Sequence, residues 1–205
     1  MDTEAKNIGC IILASGLSRR YGKDKLLEKL GDREVILHVA DHLREAGFAP
    51  LAVTRSRAVE AVLDRSGVRR VHHDGARKSD SMHAGIESLP LDTAGYLFMP
   101  ADQPLVTPDS LRRLAESFGR CPSRAVRLGF GEAVGSPVVF PAAYREDLLA
   151  YAGDRGGMDV LRAKNAPCDV VQAGHAWELW DVDTPKSMER VKSVYEALGR
   201  VDLLL

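Results

Sequence analysis

Short apolar runs alternate with helically spaced apolar positions through the first 118 residues. Ile8 to Ala14 is an apolar run that ends in Ser15-Gly16, the pattern of a buried strand entering a glycine turn. Val35, Ile36, Val39, Leu43 and Ala46 fall at helical spacing across 34–46, and Gly47 is a suitable stop. Pro50 to Thr54 predicts a second strand. Ser56 predicts the cap of a helix that turns Val59, Val62 and Leu63 inward and ends near Gly67. A short strand is expected at 70–72, a helix from Met82 to Leu89 and a buried strand at 96–99. Thr107-Pro108 opens a helix with Leu111, Leu114, Ala115 and Phe118 on its apolar face, and Gly119 is expected to close it.

Beyond residue 118 the pattern changes. Segments 125–128, 129–135 and 137–140 read as a hairpin-like pair, followed by helical stretches near 143–151 and 157–164 and short strands near 169–172 and 177–180. Thr184-Pro185 caps a final helix with Met188, Val191, Val194, Tyr195 and Leu198 inward, expected to end at Gly199. Repeated β-then-α order argues for an α/β domain on a largely parallel sheet. The hairpin adds a late antiparallel strand. With 205 residues, no repeat and no linker, the expectation is one domain over 1–205, with 1–118 as its nucleotide-binding part and 119–199 as an acceptor-binding elaboration.

Composition narrows the function classes. Lys plus Arg is 28 and Asp plus Glu is 29, a net charge of −1. Such a chain has no global footprint for nucleic acid, so a phosphate ligand needs a local basic site. The three cysteines, Cys10, Cys121 and Cys168, form no CxxC pair, which points to reduced thiols and a cytoplasmic location. The polar start, Met1 to Lys6, lacks the order of a signal peptide, and no apolar run approaches the ~18 residues that span a bilayer. Leu203-Leu204-Leu205 reads as a terminal tail or a minor packing contact.

The local basic site follows the first strand. Five basic and two acidic residues lie between Leu17 and Lys29, a local charge of +3. Small residues let backbone N–H groups cradle phosphate oxygens. A P-loop is excluded, because five residues separate Gly16 from Gly22 and Lys23 is followed by Asp24. The dinucleotide fingerprint fails for want of a glycine at position 18. Asp102, after the 96–99 strand, stands where open α/β sheets bind ligands, and a carboxylate there either holds Mg²⁺ or makes a helix-entry turn. Asp181 and Asp183 alternate, so in an extended segment they point the same way, and either can complete a metal site.

Leu13-Ala14-Ser15-Gly16-x-Ser18-x-Arg20-Tyr21-Gly22-x-x-Lys25-Leu26-Leu27 resembles the signature of the MobA-like nucleotidyltransferases, and within them the molybdenum cofactor cytidylyltransferases. The likeness runs from about residue 8 to 195. It departs from the family at Ser15, where alanine or glycine is usual, and at Tyr21, where methionine is usual. Ala101-Asp102-Gln103-Pro104, Asp181-Val182-Asp183-Thr184-Pro185, Ser81, Gly135-x-Pro137 and Gly153-Asp154-x-Gly156 match further family segments. The resemblance implies a three-layer α/β/α, Rossmann-like nucleotide-diphospho-sugar transferase fold. It implies CTP on Leu13, Ala14, Ser15, Gly16, Ser18, Arg20, Gly22, Lys23, Lys25 and Ser81. It makes Lys25 and Arg20 catalytic, Asp102 and Asp183 ligands of Mg²⁺ or Mn²⁺, and Gly135, Pro137, Gly153, Asp154 and Gly156 the acceptor site.

The implied partners are CTP and the molybdopterin cofactor, with transient contact to cofactor-donating or client molybdoenzymes, and neither nucleic acid nor membrane. A GTP-using guanylyltransferase, a sugar- or alcohol-phosphate nucleotidyltransferase and a non-catalytic carrier remain alternatives. His38 and His42, four apart, lack a third ligand and read as a partly exposed helix face. His72, His73 and His175 carry no signal, and Trp177 and Trp180 read as core or rim residues.

Overall fold

The computed structural model describes residues 7–16, 21–154 and 156–202, with side chains to residue 199. Its strands are β1 (Ile8–Ala14), β2 (Lys29–Leu30), β3 (Arg33–Glu34), β4 (Pro50–Thr54), β5 (Arg69–His72), β6 (Gly95–Pro100), β7 (Ala125–Phe130), β8 (Ala133–Pro141) and β9 (Cys168–Gln172). Its helices are α1 (Val35–Glu45), α2 (Arg57–Arg65), α3 (Lys78–Glu87), α4 (Pro108–Arg120), α5 (Arg145–Ala150), α6 (Met158–Ala163) and α7 (Pro185–Asp202).

Seven strands form one sheet in the order β5-β4-β1-β6-β8-β7-β9, while β2 and β3 pair apart from it. All neighbours in β5-β4-β1-β6 run parallel, and so do β7 and β9. Only β8 runs against both its neighbours. Side chains of each strand alternate between two cores. Cys10, Ile12, Leu97, Met99 and Val139 join α1, α2, α4 and α7 on one face. Ile11, Tyr96, Phe98, Val138 and Phe140 join α3, α5 and α6 on the other. The fold is the expected three-layer α/β/α sandwich with a mostly parallel sheet.

Close packing in one place depends on a glycine. A Cβ on Gly85 would stand 2.6 Å from Ile11 Cγ2, so α3 lies directly on β1 because that side chain is missing. The caps read in the sequence are present. Ser56, Thr107 and Thr184 hydroxyls accept from the amides of Val59, Ser110 and Ser187 at 3.3, 3.2 and 3.1 Å.

Several expectations are corrected. Segment 177–180 is no strand; Ala176–Leu179 is a 3-10 turn. It is set by Glu178, wholly buried, whose carboxylate accepts from the amides of Thr107, Gly174 and His175 and from the Thr107 hydroxyl at 2.8–3.1 Å. α3 begins four residues earlier than expected and stops at Glu87. Gly119 does not close α4, which runs to Arg120, nor does Gly199 end α7, which continues to Asp202. His38 is buried, not on an exposed face: its Nε2 meets Leu30 O at 2.7 Å, and His42 Nδ1 meets Val106 O at 2.9 Å. The Leu203–Leu205 tail lies outside the described residues. Among the described residues no helix is long and apolar enough to cross a membrane.

Candidate active site

From β1 the chain crosses to β4 on one side, and β6 adds on the other, so the sheet has its switch point between β1 and β6. Open α/β sheets bind ligands beyond the carboxyl ends of strands at such a point. Ala14-Ser15-Gly16 leaves β1 there, and Ala101-Asp102 leaves β6, joined by the Ala101 amide on Leu13 O at 3.2 Å. A third strand of chain is tied on. The Val182 amide donates to Asp102 O at 2.8 Å, and Val182 is fully buried. Its flanking Asp181 and Asp183 are therefore carried to the sheet end beside Asp102.

Lys25 completes the group. It begins the 3-10 turn Lys25–Leu27, whose first amide pair is organised by Asp24: the Asp24 carboxylate accepts from Leu26 N at 3.2 Å and from Ser56 Oγ at 2.9 Å. Lys25 is 7% exposed, and its Nζ lies 2.6 Å from Asp102 Oδ2 and 2.8 Å from Asp183 Oδ1. Burial pulls the Lys25 ammonium down, but the two carboxylates outweigh it and leave its pKa above the ordinary lysine value. Asp181 instead accepts from Gln103 Nε2 at 2.8 Å. Burial, the negative charge of Asp102 and, less strongly, that of Asp183 push its pKa up. The two alternating aspartates thus have different partners: Asp183 shares the cation with Asp102, and Asp181 does not touch it.

The remaining candidates lie in several local settings, none hydrogen-bonded or ion-paired to the side chains of this centre among the described residues. Gly22 has φ +82, a left-handed conformation that suits glycine. Lys23 is exposed and pairs with Glu28 at 2.6 Å. Ser15 Oγ and Ser81 Oγ lie 2.6 and 3.0 Å from the same His73 Nε2. Burial, then the Arg55 guanidinium, holds His73 below the ordinary histidine pKa. Arg55 donates to Gly75 O and Ser15 O, both at 3.0 Å. Gly153 and Asp154 dock on the start of α3, where Ser79 N donates to Gly153 O and Lys78 N to Asp154 Oδ1, both at 3.1 Å. Gly135 and Pro137 lie on β8, and the Ser136–Pro137 bond is cis. Ser18 and Arg20 lie outside the described residues.

Sequence reasoning missed three residues that organise the site. Asp24 served only to reject a P-loop, yet its position just before Lys25 is a capping signal. His73 and Arg55 sit at strand ends, and no spacing rule links them to Ser15 and Ser81. Both are found only when β1, β4 and β5 are laid side by side.

Residues 10–169 match the MobA-like NTP transferase domain. No curated protein sequence matches the chain. Among solved structures, Rv0371c from Mycobacterium tuberculosis is 25% identical, with 92% of this chain and 99% of that one covered and a TM-score of 0.80. Rv0371c has also been solved in complex with manganese. A Methanothermobacter nucleotidyl transferase, Mth528, is 24% identical over 94% and 99% of the two chains, with a TM-score of 0.83. The molybdopterin-guanine dinucleotide biosynthesis protein A of Archaeoglobus fulgidus shares the fold at 16% identity, 92% and 98% coverage and a TM-score of 0.72.

Proposed function

The chain belongs to the MobA-like NTP transferase family, and from that premise we propose that it transfers CMP from CTP to the terminal phosphate of the molybdopterin cofactor, with release of pyrophosphate. The observation that carries this reading is the Lys25 ammonium held between the Asp102 and Asp183 carboxylates at the switch point of the sheet. Nucleotidyl transfer needs positive charge where phosphate oxygens gather, and hard oxygen donors to hold a divalent ion.

The donor set fits such an ion. Two carboxylate oxygens, one from the end of β6 and one from the segment that enters α7, already converge on one cation. Asp102 and Asp183 would hold Mg²⁺ or Mn²⁺, which would supply Lewis-acid charge to the phosphates. The manganese complex of Rv0371c is in keeping with this. Lys25 stands within reach of the same place and neutralises charge at the α-phosphate. Gly16 and Gly22 allow backbone N–H groups to approach the phosphates, and Lys23 and Arg20 are the side chains for the β- and γ-phosphates. A phosphate monoester has its second pKa near ~6, so the acceptor is already largely a dianion at neutral pH and needs no strong base. The protein's task is to orient two anions and offset their repulsion. Gly135, Pro137, Gly153, Asp154 and Gly156 are proposed to border the acceptor.

The test is pyrophosphate release with Mg²⁺ and CTP, GTP, ATP or UTP, with and without molybdopterin cofactor. Release that requires both CTP and the cofactor is expected. Release with GTP instead would keep the site and change the donor. Nucleotide binding without release under any condition would overturn the reading in favour of a carrier.

A further inference from the structure

Among the described residues, several half-buried guanidinium groups are paired with acids. Arg33 meets Asp41, Arg70 meets Asp64, Arg113 meets Asp109 and Arg124 meets Asp169, all at 2.5–2.9 Å. Arg127 is different. It projects from β7, level with Val138 of β8 and Val170 of β9, on the face that carries α6. Its Nε donates to Gly135 O at 3.2 Å. Among the described residues no carboxylate reaches it, and its two terminal nitrogens make no bond although they are not sealed from solvent. Asp169 is one residue from Val170, but alternation sends it to the other face, where Arg124 takes both of its oxygens. The titratable groups that act on its charge are the Cys168 thiol, pushed up in pKa by burial, and a second cation, Arg162, itself paired with Asp159 at 2.9 Å.

A half-buried cation beside another cation, without an acid, is costly unless an anion arrives. The surroundings suit an anion with an apolar body. Val134 and Val170, 49% and 41% exposed, flank the guanidinium side of the sheet. Gly129 keeps that surface shallow, since a Cβ there would stand 2.6 Å from Val170 Cγ1. The Gly135 carbonyl that orients Arg127 belongs to the β8 segment proposed for the acceptor. Two strand spacings separate β7 from β6, placing Arg127 about 10 Å sideways from the strand that delivers Asp102.

We propose that Arg127 grips a second negative charge of the acceptor, away from its reacting phosphate, while Val134 and Val170 support the apolar part of its body. This rests on the nucleotidyl-transfer reading and narrows its substrate class: the acceptor carries a second negative charge besides its reacting phosphate. Arg127 binds the acceptor and takes no part at the reacting atoms.

The experiment is steady-state pyrophosphate release with molybdopterin cofactor as the varied acceptor, using wild type, Arg127→Gln, Arg127→Lys and Val170→Asp. Loss of a charge-assisted pair predicts an acceptor KM raised roughly 10- to 100-fold in Arg127→Gln. The KM for the nucleotide and kcat are expected within about twofold of wild type, because uniform binding is lost. Arg127→Lys is expected to recover the larger part. Val170→Asp, which sets a competing carboxylate beside an intact Arg127 at an exposed position, is expected to raise the same KM. An unchanged acceptor KM in Arg127→Gln, with wild type active, overturns the inference alone. Equal losses in nucleotide KM, acceptor KM and thermal midpoint would make Arg127 structural and overturn it too. Wild type without release with any nucleotide overturns the nucleotidyl-transfer reading, and the acceptor contact with it.

Discussion

Lys25 is the residue on which the most physical consequences converge. It is a buried ammonium whose charge is offset by two carboxylates, and those carboxylates repel each other without it. Lys25→Ala is expected to lower kcat by about 10²- to 10³-fold, the usual effect of losing one preorganised charge donor. A loss under about fivefold would remove Lys25 from the chemistry. The same variant leaves Asp102 and Asp183 facing each other, so Mg²⁺ is expected to raise its thermal midpoint more than it raises that of wild type. Asp181 has the opposite sign of effect. Its folded pKa is raised, so its ionisation is harder in the folded chain than in the unfolded one. The stability this group contributes is full in acid, below the ordinary aspartate range, and is lost as pH climbs through its raised folded value. Asp181→Asn keeps an oxygen for Gln103 and avoids that loss. Its thermal midpoint is expected above wild type at pH 7, with the gap closing as pH falls; a gap independent of pH would contradict the assignment.

Elements were legible wherever one period dominated. The run Ile8–Ala14, the helix face Leu111, Leu114, Ala115 and Phe118, and the caps Ser56, Thr107 and Thr184 depend on local pattern, and each is where the pattern put it. Failures came where tertiary partners decide. Lys29–Leu30 and Arg33–Glu34 form a two-residue ladder too short to leave a period. Ala176–Leu179 carries strand-like aromatic residues but is turned by Glu178, whose four donors come from two separate segments. In the site, Lys25 and the acidic pair were readable because motif and strand ends mark them. The link from His73 to Ser15 and Ser81 was not, because it exists only across strands. Two variants belong to this scale. Glu178→Gln puts an amide donor against backbone donors and is expected to cost about 2–3 kcal/mol in urea unfolding. Gly85→Val drives a side chain into Ile11 and is expected to cost about 1–3 kcal/mol through displacement of α3 from β1. A neutral result for Gly85→Val would mean that α3 is not seated as described.

For the whole molecule, the sheet joins the two halves of the chain. β8 lies between β6 from the first half and β7 from the second, so residues 1–118 alone would expose β6 as a long apolar edge. One cooperative unfolding transition is expected, and a 1–118 fragment is expected to aggregate; two separated transitions would show independent halves. The three charged groups of the centre stand at positions 25, 102 and 183 and are drawn together partly by the Val182–Asp102 backbone bond. Ribosomes deliver the chain from its amino end. A nascent polypeptide therefore carries the glycine loop long before it carries Asp183, and the centre closes only once Asp183 has been made. Chains that stop short of Asp183 would hold an incomplete charge cluster, with Lys25 facing Asp102 alone.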